Sequence, residues 1–191
     1  MPQPIRIQSD QVLYHLTTRG VDRRAIFLDD DDRRFFLRLL DRVVRLDGFV
    51  IHAYCLMTNH VHLLVETPRA NLAHGMQRLL AHYAREHNAR AGRHGHLFER
   101  RYLDKLVESE EHLISTARYI VRNPVEASVC DHPGDWKWSS YRPTAGLAPC
   151  PRFLTTARVL AAIDPRPPVA RASYRTVVCD EPEARSGRIA A

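Results

Sequence analysis

Cysteine is scarce in this sequence of 191 residues, and no two cysteines form a C-x-x-C pair. The only four are Cys55, Cys130, Cys150 and Cys179. This scattered spacing argues against a zinc ribbon or a disulfide framework. Reduced thiols are typical of proteins of the cytoplasm, which is where we expect this chain to act.

Long apolar runs are also missing. No stretch reaches the roughly 18 consecutive apolar residues that a membrane-spanning helix needs. The first residues, MPQPIRIQSD, lack the basic-then-apolar order of a signal peptide. The hydrophobic fraction of 45% is ordinary for a globular protein. We therefore expect a protein with no membrane segment, built around one well-buried domain.

Positive charge is in excess, with 28 Lys and Arg against 22 Asp and Glu. Residues 85–105 hold six Lys or Arg and three His against three acids, which favours a polyanionic partner such as nucleic acid. A solvated helix end and loop is the alternative explanation. Tyr14 and Tyr54 could stack on bases or pack under helices. The candidate DNA-binding residues are Arg85, Arg93, His96, Arg100, Arg101 and Lys105.

Hydrophobic periodicity predicts an alternation of strands and helices. Strands are predicted over 11–20, 49–58, 60–67 and 93–109, and helices over 29–48, 71–91 and 109–122, the last ending near Pro124. This order is typical of an α+β fold with a ferredoxin-like or RRM-like antiparallel sheet. We expect the helices to pack on one face of the sheet and the other face to stay free for a ligand.

Proline becomes frequent towards the C-terminus, where seven of the twelve prolines lie between Pro143 and Pro182. We therefore predict a first domain over residues 1–145 and a proline-rich extension over residues 146–191. A short helix is predicted over 153–163. The tail from about Pro165 is predicted to be disordered.

Two histidines stand one residue apart in the apolar stretch MTNHVHLLVE (57–66). In a strand, residues two apart point to the same face, so His60 and His62 present their rings side by side. Such a pair can bind one divalent metal ion. Two partly buried histidines that hydrogen-bond to their neighbours are the alternative. A second H-x-H, His94 and His96, lies in a basic turn and is a weaker candidate.

A candidate nucleophile lies on the helix predicted over 109–122. Tyr119 and its neighbour Asn123 are four residues apart, hence on one helical face. Beside a metal-bound phosphate a tyrosine can attack, and the Asn123 amide can offer an oxygen to the metal. The alternative is a core tyrosine and a helix-ending cap. Tyr102 is a weaker candidate nucleophile, and Tyr83 is best explained as a core residue.

These residues stand within four ordered motifs: MTNHVH (57–62), GHLFERRY (95–102), YIVRNPVEA (119–127) and WSSYR (138–142). In them the chain resembles the single-tyrosine transposases of the HUH endonuclease superfamily, which are IS200-like, and among these the REP-associated tyrosine transposases most. HUH denotes two histidines around a bulky hydrophobic residue. The resemblance covers about residues 11–142.

The resemblance implies a metal-dependent endonuclease and strand transferase. Tyr119 would attack single-stranded DNA that carries hairpins or palindromic repeats and form a 5′-phosphotyrosine intermediate. His60, His62 and Asn123 would bind Mg²⁺ or Mn²⁺. Some relatives have glutamine at the position of Asn123, which also offers an amide oxygen. The resemblance leaves open whether the protein is a monomer or a homodimer.

Two other functions remain possible at this point. One is a domesticated protein that binds DNA or RNA hairpins without cutting them. Such a binding protein does not need the combination of His60, His62 and Tyr119, so the presence of all three argues against it. The other is a metal-dependent hydrolase that uses activated water and would keep its activity without the tyrosine.

Overall fold

A computed structural model of the chain describes residues 12–180 and shows four antiparallel strands in the spatial order β2-β3-β1-β4. Strands β1 to β4 span Val12–Arg19, Val50–Leu56, His60–Thr67 and Leu103–Leu106. Helices α1 to α6 span Asp30–Asp47, Leu72–Ala91, Glu110–Glu126, Tyr141–Thr144, Ala157–Ile163 and Pro167–Cys179. This architecture confirms the predicted α+β class and antiparallel sheet.

Local sequence explains where the first long helix begins and ends. The Asp29 carboxylate accepts a hydrogen bond from the backbone N–H of Asp32, and acidic residues occupy the first turn of α1. Negative charge at this end complements the helix dipole. Gly48 closes the helix with φ of 74°, a left-handed conformation that glycine adopts without steric cost.

Each face of the sheet has its own hydrophobic core, because side chains alternate along the strands. Leu16 and Leu63 lie with α1 and α2 in one core. Leu13 and Leu64 lie with α3, α5 and α6 in the other. The expectation that helices cover only one face is therefore wrong. The second face is covered because α3 carries a continuous apolar stripe, which includes Ile120 and must be buried.

The two candidate stacking tyrosines are buried in the first core. Tyr14 is 1% exposed and Tyr54 is 4% exposed, and both pack beneath the helices. They cannot stack on bases, so packing is the correct one of the two alternatives. Trp138 is likewise buried in this core.

The fourth strand is much shorter than the predicted 93–109. Only Leu103–Leu106 pairs with β1. The residues just before β4 form no regular strand, because their contacts lie on different parts of the fold. Phe98 makes an isolated bridge to Gly20, and both Leu97 and Tyr102 are buried. Helix α3 also runs two residues past Pro124, to Glu126.

The C-terminal tail is partly folded. The prediction of disorder from about Pro165 is wrong for α6, which buries Ala170, Tyr174 and Val178 against the second core. Proline in the first turn of α6 does not oppose the helix, because the first N–H groups lack intrahelical partners anyway. Residues 181–191 lie outside the described part. A domain boundary near residue 145 stays a prediction.

Replacing Tyr174 by alanine should lower the free energy of unfolding by about 3 kcal/mol or more, the usual cost of truncating a buried aromatic. Tyr174 is 2% exposed at the centre of α6. Urea denaturation measures the change. The exposed Thr176 on the same helix is the control, and Thr176→Ala should stay within about 0.5 kcal/mol of wild type. Equal stability of the Tyr174→Ala variant would contradict the packing of α6.

None of the helices within residues 12–180 is both long and apolar enough to cross a membrane.

Candidate active site

The predicted histidine pair and the predicted tyrosine lie together on the second face of the sheet, which α3 covers. His60 and His62 lie on β3, with their ring centroids 5.0 Å apart. Helix α3 carries Tyr119 over them, and its ring lies edge-on to that of His62 at 5.5 Å. Asn123, one turn further along α3, approaches His60. The structure thus brings together the four residues of the predicted catalytic and metal-binding set.

Hydrogen bonds fix which atom of His60 faces the site. The Asn59 amide nitrogen donates to the Arg23 carbonyl at 2.9 Å, so its oxygen faces His60 Nδ1 at 2.7 Å. The Asn123 amide nitrogen donates to the Tyr119 carbonyl at 3.0 Å, so its oxygen faces His60 Nε2 at 3.3 Å. A neutral imidazole that donates from Nδ1 keeps a lone pair on Nε2.

With the single proton of His60 on Nδ1, where the contact of 2.7 Å is the shorter of the two, two acceptor atoms converge in the site, His60 Nε2 and Asn123 Oδ1. Burial lowers the pKa of His60, so that its imidazole is neutral near pH 7 and offers no second proton to bridge them. A cation between the two atoms satisfies both lone pairs. The residues present therefore fit a divalent metal ion.

His62 is held by hydrogen bonds on its inner side. Its Nδ1 lies 3.0 Å from Thr17 Oγ1 and 3.0 Å from His15 Nε2. A proton on Nδ1 that is shared with these acceptors leaves Nε2 free as a ligand. Burial, and secondly the charges of His15 and His60, lower the pKa of His62 to about 3.

His15 is a member of the site that sequence reasoning missed. Its ring centroid lies 5.2 Å from that of His62 and 5.7 Å from that of Tyr119. Burial, followed by the charges of Lys105 and His112, lowers its pKa to about 4. The sequence of β1 does carry a signal: His15 and Thr17 stand two residues apart, as His60 and His62 do in β3, so each pair points to one face of its strand. The pairing register of β1 with β3 is what brings the two pairs together.

The set of possible metal ligands is small. Within residues 12–180, no three His, Cys, Asp or Glu side chains are grouped to hold a metal ion. The candidate ligands are therefore two imidazoles and the amide oxygen of Asn123. Such a mixed nitrogen and oxygen set suits Mn²⁺, and Mg²⁺ with additional oxygen ligands from water or phosphate.

Exposure separates Tyr119 from the other candidate nucleophiles. Tyr119 is 49% exposed, whereas Tyr83 and Tyr102 are 0% and 2% exposed. The Tyr83 hydroxyl donates to the Ile26 carbonyl at 2.5 Å inside the first core. Of these three tyrosines, Tyr119 is the one that a DNA strand can reach.

The predicted DNA-binding residues fall into separate groups. Lys105 pairs with His15 in the β1–β4 register and shares the face of the histidine pair. His96, Arg100 and Arg101 line a groove of about 580 Å³ between α2 and the irregular segment before β4. The remaining two lie near the C-terminal end of α2, Arg85 within the helix and Arg93 just past it.

Helix α6 holds α3 in place behind the site. The Arg118 guanidinium donates to the Val177 carbonyl at 2.8 Å, and that of Arg122 donates to the Val178 carbonyl at 3.0 Å. These carbonyls lie in the last turn of α6, where no intrahelical donor is available to them. The helix that carries Tyr119 is thereby anchored to the C-terminal part of its own chain.

The depressed pKa of His62 predicts a pH dependence of stability. The unfolded chain keeps the usual value near 6.5, so below that pH it binds more protons than the folded state, and the free energy of unfolding falls. Between pH 7 and pH 5, the free energy of unfolding of the metal-free protein should fall by about 2 kcal/mol less in His62→Asn than in wild type. Denaturation at both pH values measures this difference.

The control for this prediction is the exposed Thr176, which does not titrate. Thr176→Ala should keep the wild-type pH dependence. The prediction fails if His62→Asn and wild type lose the same stability over this range.

A four-stranded antiparallel sheet with an H-x-H pair on an inner strand and an exposed tyrosine on a covering helix is the arrangement that the resemblance to the single-tyrosine transposases implied. The chain belongs to the family described as "Transposase IS200 like", whose profile matches residues 8–123. The resemblance in the sequence is thereby confirmed. No curated protein matches the chain.

The solved structures that are similar to this chain include the following two. A REP-associated tyrosine transposase bound to a REP hairpin superposes with a TM-score of 0.67 at 18% identity, over 78% of this chain and 89% of that chain. At this identity the similarity shows the fold. A protein from Deinococcus radiodurans R1 described as a transposase matches with a TM-score of 0.44 at 21% identity, over 62% of this chain and 95% of that chain.

Proposed function

We propose that this transposase cleaves and rejoins single-stranded DNA through a covalent bond between Tyr119 and a 5′-phosphate. The observation that carries the proposal is the position of the Tyr119 ring, which is half exposed and 5.5 Å from the ring of His62. The converging lone pairs of His60 and Asn123 lie in the same site.

His60, His62 and Asn123 would hold the divalent metal ion, Mg²⁺ or Mn²⁺. When bound, the metal supplies positive charge that polarises the phosphate and stabilises the charge that develops on it. Thr17 and His15 orient the ring of His62, and Asn59 orients that of His60. Such neighbours fix the tautomer and the direction of the ligands.

The proposed reaction exchanges one phosphodiester for another. The Tyr119 hydroxyl loses its proton and its oxygen attacks the phosphorus, so that a tyrosine–phosphate bond forms. The bond to the 3′-oxygen of the preceding nucleotide breaks, and that oxygen takes up a proton. The number of phosphoester bonds is unchanged, so a 3′-hydroxyl can attack the phosphotyrosine and rejoin the strand without ATP.

The proposed substrate is single-stranded DNA with hairpins or palindromic repeats. The structural relative bound to a REP hairpin supports this choice, as do the excess of Lys and Arg and the groove lined by Arg100 and Arg101. A positive groove that follows the backbone is typical of single-strand binding. The described residues bring Tyr119 and the histidines together within one chain, which supports a complete site in a monomer. A homodimer, like the location in the cytoplasm, stays a prediction.

The test is a covalent-adduct assay. The purified protein is mixed with labelled single-stranded hairpins from the DNA that flanks its own gene, with Mn²⁺ or Mg²⁺ and in parallel with a chelator. We expect a protein–DNA band that resists denaturant, needs the metal and is absent with the chelator.

Two outcomes would replace the proposal. Cleavage without any covalent adduct would favour the hydrolase that uses activated water. Tight binding of hairpins with neither cleavage nor adduct, over several metals and sequences, would favour a domesticated DNA or RNA hairpin-binding protein.

A further inference from the structure

A free guanidinium stands at the edge of the candidate active site. Arg19 is the last residue of β1 and lies directly opposite His60 in the β1–β3 register. Residues opposite each other in an antiparallel pair point to the same face. The alternation along β1 agrees, since His15 and Thr17 both contact His62 on that face.

The backbone of Arg19 is fixed although its side chain is not. Its carbonyl accepts a hydrogen bond from the Glu99 N–H at 2.9 Å, and the next residue, Gly20, donates its N–H to the Asn59 carbonyl at 2.9 Å. The strand end is thus tied to both neighbouring segments, one of which leads into His60. The base of the side chain is held at a constant place beside the histidine.

The guanidinium itself is exposed and makes no hydrogen bond or ion pair with any other residue of 12–180. Three other arginines, two on the helix of Tyr119 and one just past β1, are engaged. Arg118 and Arg122 donate to carbonyls of α6, and Arg24 pairs with Asp22 at 3.7 Å. Arg19 therefore has its full hydrogen-bonding capacity available for a ligand.

Positive charge beside a site for a metal cation is unfavourable unless an anion lies between them. The arrangement is thus incomplete without a negatively charged ligand. A phosphodiester carries one negative charge, shared by two oxygens that a guanidinium can bind with parallel hydrogen bonds. Metal ligands on one side and a free arginine on the other are the two halves of a phosphate-binding site.

We propose that Arg19 is a catalytic residue that binds a non-bridging oxygen of the phosphate attacked by Tyr119 and stabilises the negative charge of the transition state. This inference rests on the proposed function and adds to it a second source of positive charge besides the metal. Its contribution is greatest when charge accumulates on the phosphoryl oxygens.

The test measures the single-turnover rate of adduct formation, at saturating DNA, for wild type and for Arg19→Ala. We expect the rate of Arg19→Ala to fall by about 10²- to 10³-fold, with a much smaller change in the DNA concentration that gives half the maximal rate. Arg19→Lys should recover only part of the rate, because an ammonium cannot make the paired contacts. Millimolar guanidinium ion should partly restore Arg19→Ala.

The matched control is Arg24→Ala, which removes the same charge from an exposed position five residues away. Its rate should stay within about threefold of wild type, since a screened surface charge contributes little. A second measurement distinguishes a catalytic role of Arg19 from a structural one. Mn²⁺ binding without DNA should be unchanged or tighter in Arg19→Ala, because a repelling charge has been removed, whereas a damaged site would bind Mn²⁺ more weakly.

Three results overturn the inference. The first is an Arg19→Ala rate within threefold of wild type. The second is a loss confined to DNA affinity with an unchanged maximal rate, which makes Arg19 an ordinary backbone contact. The third is weaker Mn²⁺ binding in Arg19→Ala, which makes it a structural residue. Adduct formation by the wild type is measured before any variant is compared. A wild type that forms no adduct overturns the proposed function itself.

Discussion

Replacing Tyr119 by phenylalanine is expected to abolish the covalent protein–DNA adduct and to leave the fold intact. The substitution removes only the hydroxyl oxygen, which the proposed reaction joins to phosphorus. We expect adduct formation to fall by at least about 10³-fold, the scale of losses when a covalent nucleophile is removed. Denaturing gels with labelled hairpin DNA measure the effect.

Stability should hardly change, because the Tyr119 ring is 49% exposed and its hydroxyl makes no hydrogen bond with another residue of 12–180. Its edge-on contacts with His62 and His15 belong to the ring and are kept by phenylalanine. The free energy of unfolding should stay within about 0.5 kcal/mol of wild type, as for most surface substitutions. Binding of the hairpin should also persist.

The control for this prediction is Tyr83→Phe, which removes a hydroxyl that donates to the Ile26 carbonyl inside the first core. This variant should lose about 1–2 kcal/mol of stability because a buried carbonyl loses its donor. It should still form the adduct at nearly the wild-type rate. A normal adduct with Tyr119→Phe would exclude Tyr119 as the nucleophile, and digestion of the adduct would then identify the linked peptide.

Local periodicity was sufficient to predict the central part of the candidate site. The two-residue repeat of a strand places His60 and His62 side by side, and the helical repeat places Tyr119 and Asn123 on one face. These relations lie within single elements, so they need no knowledge of tertiary structure. The meeting of the two elements was implied by the family resemblance, not by either repeat.

Residues whose roles depend on strand pairing could not be assigned in this way. His15, Thr17 and Arg19 join the site because β1 pairs with β3 in a register that sets Thr17 opposite His62. A shift of one residue would turn all three side chains to the other face. Nothing within β1 alone determines that register.

The C-terminal part was mispredicted because composition was given more weight than periodicity. The prolines after residue 164 suggested disorder, although a helix accepts proline in its first turn. Ala170, Tyr174 and Val178 recur at intervals of four, and all three are buried. This apolar stripe indicates a helix and was present in the sequence.

Replacing His60 by alanine is expected to have the second largest effect, because it removes one of the two imidazoles available to the metal. We expect the affinity for Mn²⁺ to fall by at least about 10-fold and the rate of adduct formation by about 10²- to 10⁴-fold. Metal affinity is measured by calorimetry in the Tyr119→Phe background, where no reaction obscures binding. His74→Ala, at an exposed position, is the control and should change neither quantity.

The two measurements on His60→Ala together distinguish a ligand from a base. His60 Nε2 is a lone-pair acceptor in the site and could bind the metal or accept the proton of the Tyr119 hydroxyl. If it is a ligand, metal affinity falls and raising the Mn²⁺ concentration restores part of the rate. If it is a base, metal affinity stays at the wild-type value and added Mn²⁺ restores nothing. The contact with Asn123 Oδ1 favours the ligand when the His60 proton lies on Nδ1, because Nε2 and Oδ1 are then two acceptors 3.3 Å apart and a cation between them satisfies both. Unchanged affinity for Mn²⁺ would therefore remove the main physical support for a metal ion at this position.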